Sequence, residues 1–562
     1  MAVDQVHGLP DNELFRRLLL VAESRQETLI HDIPHGVDVT YRQLVRDVSS
    51  FRQKLREALP ESLLTDKGIV RDDDVFVCTT TSASYEMIVA LFAILSIGAA
   101  IVPLSPSLMP EEVMNFYHRF DAKCIITHPK AELVKSLRQH VTSMDTVEPN
   151  IISVHASGME QDVEDPYPFI DSSIVLPTNR PAIALFSSGT TGPPKGIIHG
   201  LGFFTEKIGP LGAEDALVLA HRPMHYAASL ASTIATILRG VRLEISPLGS
   251  SPQYIWERLR QGGVTNLAGS AGFWVSLMEY YLQNIAILPL NERQAYVDGA
   301  RGLRVAICSG VMAMPSTKIF WKEIRGRPLQ VVWGSTESAL GLKTSTDIDT
   351  TYLNSIGQPV PGVTVKLSEG GEMRVKTPAI YWKDERATRA AFDDEGFYKT
   401  GDLVYLQGSD YIIQGRASTD FISCNSIKIP ILHVENALSL LPYLSEAHVL
   451  PVTDPKTGSR VAALVRCRNG QKSNLTLHSL REDLSPYLSL VQLPTVLRVL
   501  VDGEEVPRTV SNKVIRRETK QIFFPQTADP SLSELPTQVQ WCDFKLDTDL
   551  RPQKMWDSGG VQ

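Results

Sequence analysis

Residues 186–200, FSSGTTGPPKGIIHG, gather Ser187, Ser188, Gly189, Thr190, Thr191, Gly192 and Lys195 into one stretch with little side-chain bulk. Glycine lets a backbone approach an anion closely, and successive N–H groups in such a loop can point at it. The hydroxyls add donors and Lys195 adds positive charge, so the stretch is suited to cradling phosphate. It is not the familiar P-loop, which needs G-x-x-x-x-G-K-[ST]. Here Gly189 and Gly192 are three apart, Lys195 follows two prolines, and Gly196 stands where Ser or Thr belongs. A lysine fenced by prolines also sets the stretch apart from a flexible linker.

Loops of this kind need strands to hold them. AIALFSSGTTG is an apolar strand running straight into the glycine loop, and VAICSGVMAMP and VVWGSTESA repeat the pattern. Runs such as VFVCTT, CIITH, ALVLAH and VRLEIS alternate with helical stretches at 111–120 and 255–261. That alternation predicts an α/β fold with largely parallel, layered sheets, whose functional loops sit at the carboxyl ends of strands. The uncharged run 87–104 imitates a membrane span, but Gly98 and Pro103 divide it into an apolar helix and a buried strand. After Gly357 the texture becomes short strands with Pro/Gly turns, predicting a small β-rich subdomain over about 356–415. A second boundary falls near 412–421, and beyond it helix and strand patterns continue to about Gln521. The stretch 522–562 is Pro- and Ser-punctuated yet keeps Trp541, Phe544 and Trp556.

At 562 residues the chain is too long for a single core. Its net charge of −8 leaves no basic surplus for phosphate neutralisation, which argues against nucleic acid as the main partner. The six cysteines are scattered without C-x-x-C spacing, as expected of reduced thiols rather than a disulfide framework or a zinc site. Neither a signal peptide nor a peroxisomal or endoplasmic-reticulum address is recognisable, so a cytoplasmic protein with no membrane span is expected.

Taken in order, these stretches resemble the adenylate-forming superfamily of acyl-CoA synthetases, luciferases and peptide-synthetase adenylation domains. SSGTTGPPKG resembles its phosphate loop and VVWGSTES its Y-G-x-T-E motif, with Trp333 in the tyrosine position. GGEMRVKTP, FYKTGDL, GRASTDFI and VPRTVSNKVIRRE match later motifs, so the resemblance spans roughly 40–520. It implies a large N-terminal domain (1–415), a hinge at 416–420 and a smaller mobile α/β lid (421–521). It also implies that a carboxylic acid is activated on ATP as acyl-AMP, releasing pyrophosphate, and passed to CoA. On the family pattern, Ser187, Ser188, Gly189, Thr190, Thr191, Gly192 and Lys195 grip the ATP phosphates, with Ser309, Gly310, Gly334 and Ser335 also at the nucleotide. Trp333 stacks on adenine, Thr336 touches the α-phosphate, and Glu337 ligates Mg²⁺. Asp402 accepts the ribose hydroxyls, Arg416 holds the ribose–phosphate region, and Lys513 reaches the bridging oxygen and the acyl carboxylate.

The chain also departs from that pattern. In RPMHYAASLA, His225 and Tyr226 occupy the aromatic–His pair and Ser229 stands at a glycine, in a segment that helps form the acyl pocket. The lid motif has an extra residue after Arg416, with Ser423 for a lysine and Ser426 for the glycine beside the pantetheine tunnel, near Lys428. In pocket stretches 225–228, 270–273, 309–311 and 334–341, including Tyr226, Ala227, Ala271, Phe273, Val311 and Ala339, small and apolar side chains dominate and no arginine appears. A second carboxylate there would be buried and unpaired, which predicts a monocarboxylic acid with an aliphatic or aryl body. A stand-alone acyl-CoA synthetase is the leading expectation. The alternatives are an enzyme loading a separate carrier protein, and a non-catalytic nucleotide-binding protein.

Overall fold

The computed structural model describes residues 8–81, 83–128, 132–143, 148–154, 167–187, 195–206, 208–345, 353–424, 427–454, 458–468, 474–509, 513–525 and 538–542. The uncharged run 87–104 forms helix Tyr85–Ser96 and strand Ala100–Pro103, with Gly98 at φ +73° making the turn between them. Every residue of that helix is buried, as a helix that is apolar all round must be. No helix among the described residues is long and apolar enough to cross a membrane.

That helix lies in the largest apolar cluster together with residues of a seven-stranded sheet. Five strands of the sheet are parallel: Phe76–Thr79, Ala100–Pro103, Cys124–Thr127, Ile151–Ser153 and Pro181–Ser187. Lys195–Gly200 returns antiparallel to Pro181–Ser187, pairing Lys195 with Ser187, so the glycine loop joins two strands of a hairpin. Ile380–Tyr381 adds to the outer edge of Lys195–Gly200.

A second, thirteen-stranded sheet holds the other motifs. Its parallel strands run side by side in the order Arg242–Ile245, Leu217–Ala220, Asn266–Ser270, Val305–Ser309, Gln330–Ser335, so their carboxyl ends share one edge. Connecting helices pack behind them on Trp256, Trp274 and Trp321, all fully buried. Each indole N–H finds a carbonyl, on Leu277, Ile307 and Trp274 respectively, as buried tryptophans require. Replacing any of the three with alanine is expected to cost about 3–5 kcal/mol.

Beyond Gln330–Ser335 the sheet turns antiparallel through Ala339–Lys343, Ser355–Pro359, Asp410–Arg416, Phe397–Gln407 and Glu372–Lys376. The β-rich stretch therefore continues the parallel sheet by hydrogen bonding. A separate six-stranded sheet contains Phe421–Cys424, Ile427–Pro430, Leu444–Asp454, Gly458–Cys467 and Val496–Val499. Its sixth strand, Val539–Trp541, comes from the C-terminal stretch and pairs antiparallel with Val496–Val499.

Candidate functional site

The hairpin between Gln330–Ser335 and Ala339–Lys343 carries Thr336 and Glu337 at its tip. Ser335 and Ser338 close the tip: the backbone N–H of each donates to the other's Oγ, and the hydroxyls lie 3.0 Å apart. Ala339 sits at φ +54°, a left-handed conformation unusual outside glycine. Gly341 lets the Trp333 indole lie across the hairpin, since a Cβ there would come within 2.7 Å of the ring.

Glu337 is buried at the tip. Tyr381 Oη donates to its Oε1 at 2.9 Å, and Thr377 Oγ1 donates to its carbonyl at 2.8 Å. Burial and the neighbouring Glu337 charge push the phenols of Tyr381 and Tyr398 well above their usual range, keeping both protonated as donors. Lys195 Nζ lies 5.2 Å from the centre of the Tyr381 ring, within cation–π range. His199 Nε2–H donates to the Thr336 carbonyl at 2.7 Å. The strand after the glycine loop is thereby fixed against the tip holding the buried acid.

Asp402 and Arg416 face each other directly across an antiparallel pair. Arg416 Nε approaches Asp402 Oδ1 at 3.3 Å, and Trp333 Nε1–H donates to Asp402 Oδ2 at 2.9 Å. Burial raises the Asp402 carboxyl above the usual range, with the Arg416 charge opposing. Lys513 is held by a local loop in which its N–H donates to Thr509 Oγ1 and Thr509 N–H donates to its carbonyl. Its side chain is exposed, yet desolvation lowers its pKa, and the charges of Arg416, Asp402 and Asp420 act on it. A side chain both reachable and desolvated lines a recess. Trp333, Asp402 and Arg416 thus meet directly, and Lys513, from a fourth stretch of sequence, lies within reach of the Asp402 and Arg416 charges.

The apolar residues gather on the shared edge of the parallel strands. Ala227 opens helix Ala227–Leu238 directly after His225 and Tyr226, whose rings lie 4.5 Å apart. Ala271 opens helix Ala271–Tyr280, capped by Ser270 Oγ, which accepts from Phe273 N–H. Phe273 stacks on His221 at 4.2 Å, and a Cβ at Gly269 would strike its ring. Ser309 ends its strand, Gly310 turns at φ +87°, and Val311 is exposed. Lys428 is exposed and pairs in register with Ser423. Ser188, Gly189, Thr190, Thr191, Gly192 and Ser426 lie outside the described residues, as does the Ser187 side chain.

Sequence reasoning passed over His199, Thr377, Tyr381 and Tyr398 around Glu337. Their signal was position, since Tyr381 lies just beyond the motif GGEMRVKTP and Tyr398 within FYKTGDL.

A hairpin loop rich in glycine and hydroxyls, a buried acid on a strand turn, and an aspartate–arginine–lysine group on a layered α/β frame together define an AMP-binding enzyme. The AMP-binding enzyme family matches residues 21–379. The chain is 36% identical over 530 residues to the acyl-CoA ligase oryP of Aspergillus oryzae, covering 92% of this chain and 93% of that protein. It is 26% identical over 544 residues to the mitochondrial malonate–CoA ligase ACSF3 of Homo sapiens, covering 87% and 90%. Among solved structures, ATP-bound MatB from Rhodopseudomonas palustris shares the fold at a TM-score of 0.72 and 19% identity, covering 91% of this chain and 99% of that one. The chain belongs to the AMP-binding enzyme family, within the adenylate-forming superfamily. Acid–CoA ligation is the activity that this membership and these relatives support.

Proposed function

We propose that the enzyme joins a carboxylic acid to CoA in two half-reactions linked by an acyl-AMP. The observation that carries this reading is the contact of Trp333, on the strand that leads to the Glu337 tip, and of Arg416 with Asp402, with Lys513 within reach of the Asp402 and Arg416 charges. Asp402 is acceptor-only when ionised, and each carboxylate oxygen has a lone pair beyond those used by Trp333 and Arg416. It suits the ribose hydroxyls, with the Trp333 face against adenine and Arg416 toward the ribose–phosphate region. Ser309, Gly310, Gly334 and Ser335 border the nucleotide, while the loop 187–192 and Lys195 take the β- and γ-phosphates.

In the first half-reaction an acid oxygen attacks the α-phosphorus and the bond to pyrophosphate breaks. Thr336 touches the phosphoryl group, and the Lys513 ammonium stabilises the charge that develops there. Glu337 supplies one buried carboxylate held by Tyr381, a donor set that fits Mg²⁺, which takes few protein ligands and shares phosphate oxygens. When bound, the ion would neutralise phosphate charge. In the second half-reaction the CoA sulfur attacks the acyl carbon and AMP leaves, with CoA approaching past Ser426 and Lys428. The acyl body rests against His225, Tyr226, Ala227, Ala271, Phe273, Val311 and Ala339.

Residues 421–521 act as a lid turning about 416–420. Supporting this, Asp420 caps the 416 turn by accepting from Arg416 N–H, and its other oxygen takes Arg516 of the lid. Acid-dependent exchange of pyrophosphate into ATP, followed by product analysis with CoA, tests the reading. Failure of every carboxylic acid to support exchange overturns it, and acylation only of a carrier protein redirects the second step.

A further inference from the structure

Arg222 stands at the carboxyl end of strand Leu217–Ala220, just before the pocket stretch that begins at His225. The absence of arginine noted above holds for residues 225–228 and stops short of it. Its neighbours fix its place. His221 Nε2–H donates to the Ala268 carbonyl of the adjacent strand while its ring stacks on Phe273. Ser229 Oγ, from the first turn of helix Ala227–Leu238, donates to the Arg222 carbonyl at 3.1 Å. The backbone of Arg222 is therefore clamped between two elements that supply pocket residues.

Its guanidinium has no ion pair and no hydrogen bond among the described residues. Other arginines and lysines nearby do have partners: Arg416 has Asp402, Arg516 has Asp420, and Lys195 lies on Tyr381. Arg222 remains partly accessible, yet burial pushes its pKa down to about 10. Its charge also helps hold His221 neutral, down at about 4, although burial of the imidazole is the larger cause. A desolvated, reachable and unpartnered guanidinium is costly to fold around, and such groups are retained where a ligand completes them.

The parallel strands also set the distance to the reaction centre. Leu217–Ala220 lies three strand intervals from Gln330–Ser335, and both end on the same edge. At about 4.8 Å per interval this separates the two loops by about 14 Å. Arg222 is thus too far away to share the carboxylate being activated beside Thr336 and Lys513. Its place on that edge suits the remote end of an acid held between the two loops.

We propose that Arg222 binds a second carboxylate, so that the acid activated is a dicarboxylic acid whose two carboxylates are several carbons apart, with the apolar walls of Phe273 and Ala227 between them. Guanidinium and carboxylate pair through two parallel N–H···O bonds, which supplies the partner that a second carboxylate would otherwise lack in that apolar pocket. The proposal rests on the acid–CoA ligase reading for the nature of the ligand, but its test separates the two.

Adipate and suberate are compared with hexanoate and octanoate, on the wild type and on Arg222→Met and Arg222→Lys. Thermal shift reads binding without turnover, and pyrophosphate exchange reads kcat/KM. In the wild type the diacids should raise Tm more than the matched monoacids, and the diacid-to-monoacid ratio of kcat/KM should favour the diacids. Arg222→Met should lower that ratio by about 10²-fold, the scale for truncating a buried charge pair, and Arg222→Lys should recover part of it. Without ligand, Arg222→Met should melt no lower than wild type, because no protein partner is lost. Equal stabilisation by diacids and monoacids overturns the proposal, whether or not exchange occurs. A rise in KM for ATP in Arg222→Met at an unchanged ratio assigns the guanidinium to the nucleotide and overturns it as well. Exchange supported by acids without diacid preference sinks this inference and leaves the ligase reading standing. Diacid binding lost in Arg222→Met, with no exchange by any acid, does the reverse.

Discussion

Trp333 Nε1–H donates to Asp402 Oδ2 at 2.9 Å, joining the turn that carries Glu337 to the strand that carries Asp402. The resemblance had these side chains serve adenine and ribose separately, whereas the structure couples them. Trp333→Phe keeps a flat aromatic face and removes only the donor. A hydrogen bond to a charged group is worth about 1.5–3 kcal/mol, so KM for ATP should rise at least ~10-fold, with a smaller change in kcat. Burial already raises the Asp402 carboxyl, and losing a donor that favours its ionised form raises it further. With Asp402 in its proposed role at the ribose, which needs the carboxylate, affinity should start to fall at a higher pH in the variant as the solution is acidified. Superimposable profiles of KM for ATP against pH would show that the indole donor plays no part.

Glu337 is buried with Tyr381 on one oxygen. Glu337→Gln preserves shape and removes the anionic ligand, so the variant should fold and need much more Mg²⁺ for half-maximal exchange. Tyr381→Phe should move the same Mg²⁺ titration in the same direction by less, since it frees the carboxylate without discharging it. Wild-type exchange by Glu337→Gln at limiting Mg²⁺ would refute the ligand assignment.

The strands that flank the glycine loop and the two strand-end turns were legible because each is a local pattern, small or polar residues straight after an apolar strand. The helix–strand division of 87–104 was legible for the same reason, through Gly98. The Asp402 and Lys513 stretches, one inside a strand and one well beyond the nearest strand, were legible only through the family resemblance. Contacts between distant segments were not. Tyr381 reaches Glu337 from an edge strand, and nothing in KTPAIYW says which residue its hydroxyl meets. Val539–Trp541 likewise reads as an isolated aromatic stretch until it pairs with Val496–Val499, with Gln540 accepting from Leu477 N–H and Arg460 donating to the Cys542 carbonyl. Arg222 was visible as a letter, but its lack of a partner is a property of the folded chain.

Lys513 carries a lowered pKa, chiefly from desolvation and then from Arg416. Its proposed role in adenylation needs the protonated form, so the alkaline limb of exchange activity should fall at lower pH than an ordinary lysine would allow. Lys513→Arg keeps the charge to higher pH and should move that limb upward, even at reduced kcat. Lys513→Ala should slow acyl-AMP formation by at least ~10²-fold, the scale for one preorganised charge, and affect transfer from supplied acyl-AMP to CoA far less. Equal losses in both half-reactions would point to misfolding.

Arg468, at the end of strand Gly458–Cys467, donates through Nη1 to both carboxylate oxygens of Glu279 at 2.9 and 2.6 Å, and Asn436 Nδ2 donates to Asn354 Oδ1 at 2.7 Å. Both contacts run from the proposed lid to the rest of the chain, in the arrangement that places Lys513 within reach of the Asp402 charge. A lid that turns for the second half-reaction must break them. Arg468→Ala should therefore shift the population away from the adenylating arrangement and bias the two steps oppositely. The pair is partly exposed, and such pairs contribute at most about 1 kcal/mol, so pyrophosphate exchange should slow only a few-fold. Single-turnover transfer from preformed acyl-AMP to CoA should quicken by a similar factor. Glu279→Ala should do the same, and the double variant should add little to either single change, because both remove one interaction. Opposite signs in the two half-reactions mark a contact that belongs to one lid position. If Arg468→Ala slows both steps together, the ion pair serves general stability, and the turning lid needs a different latch.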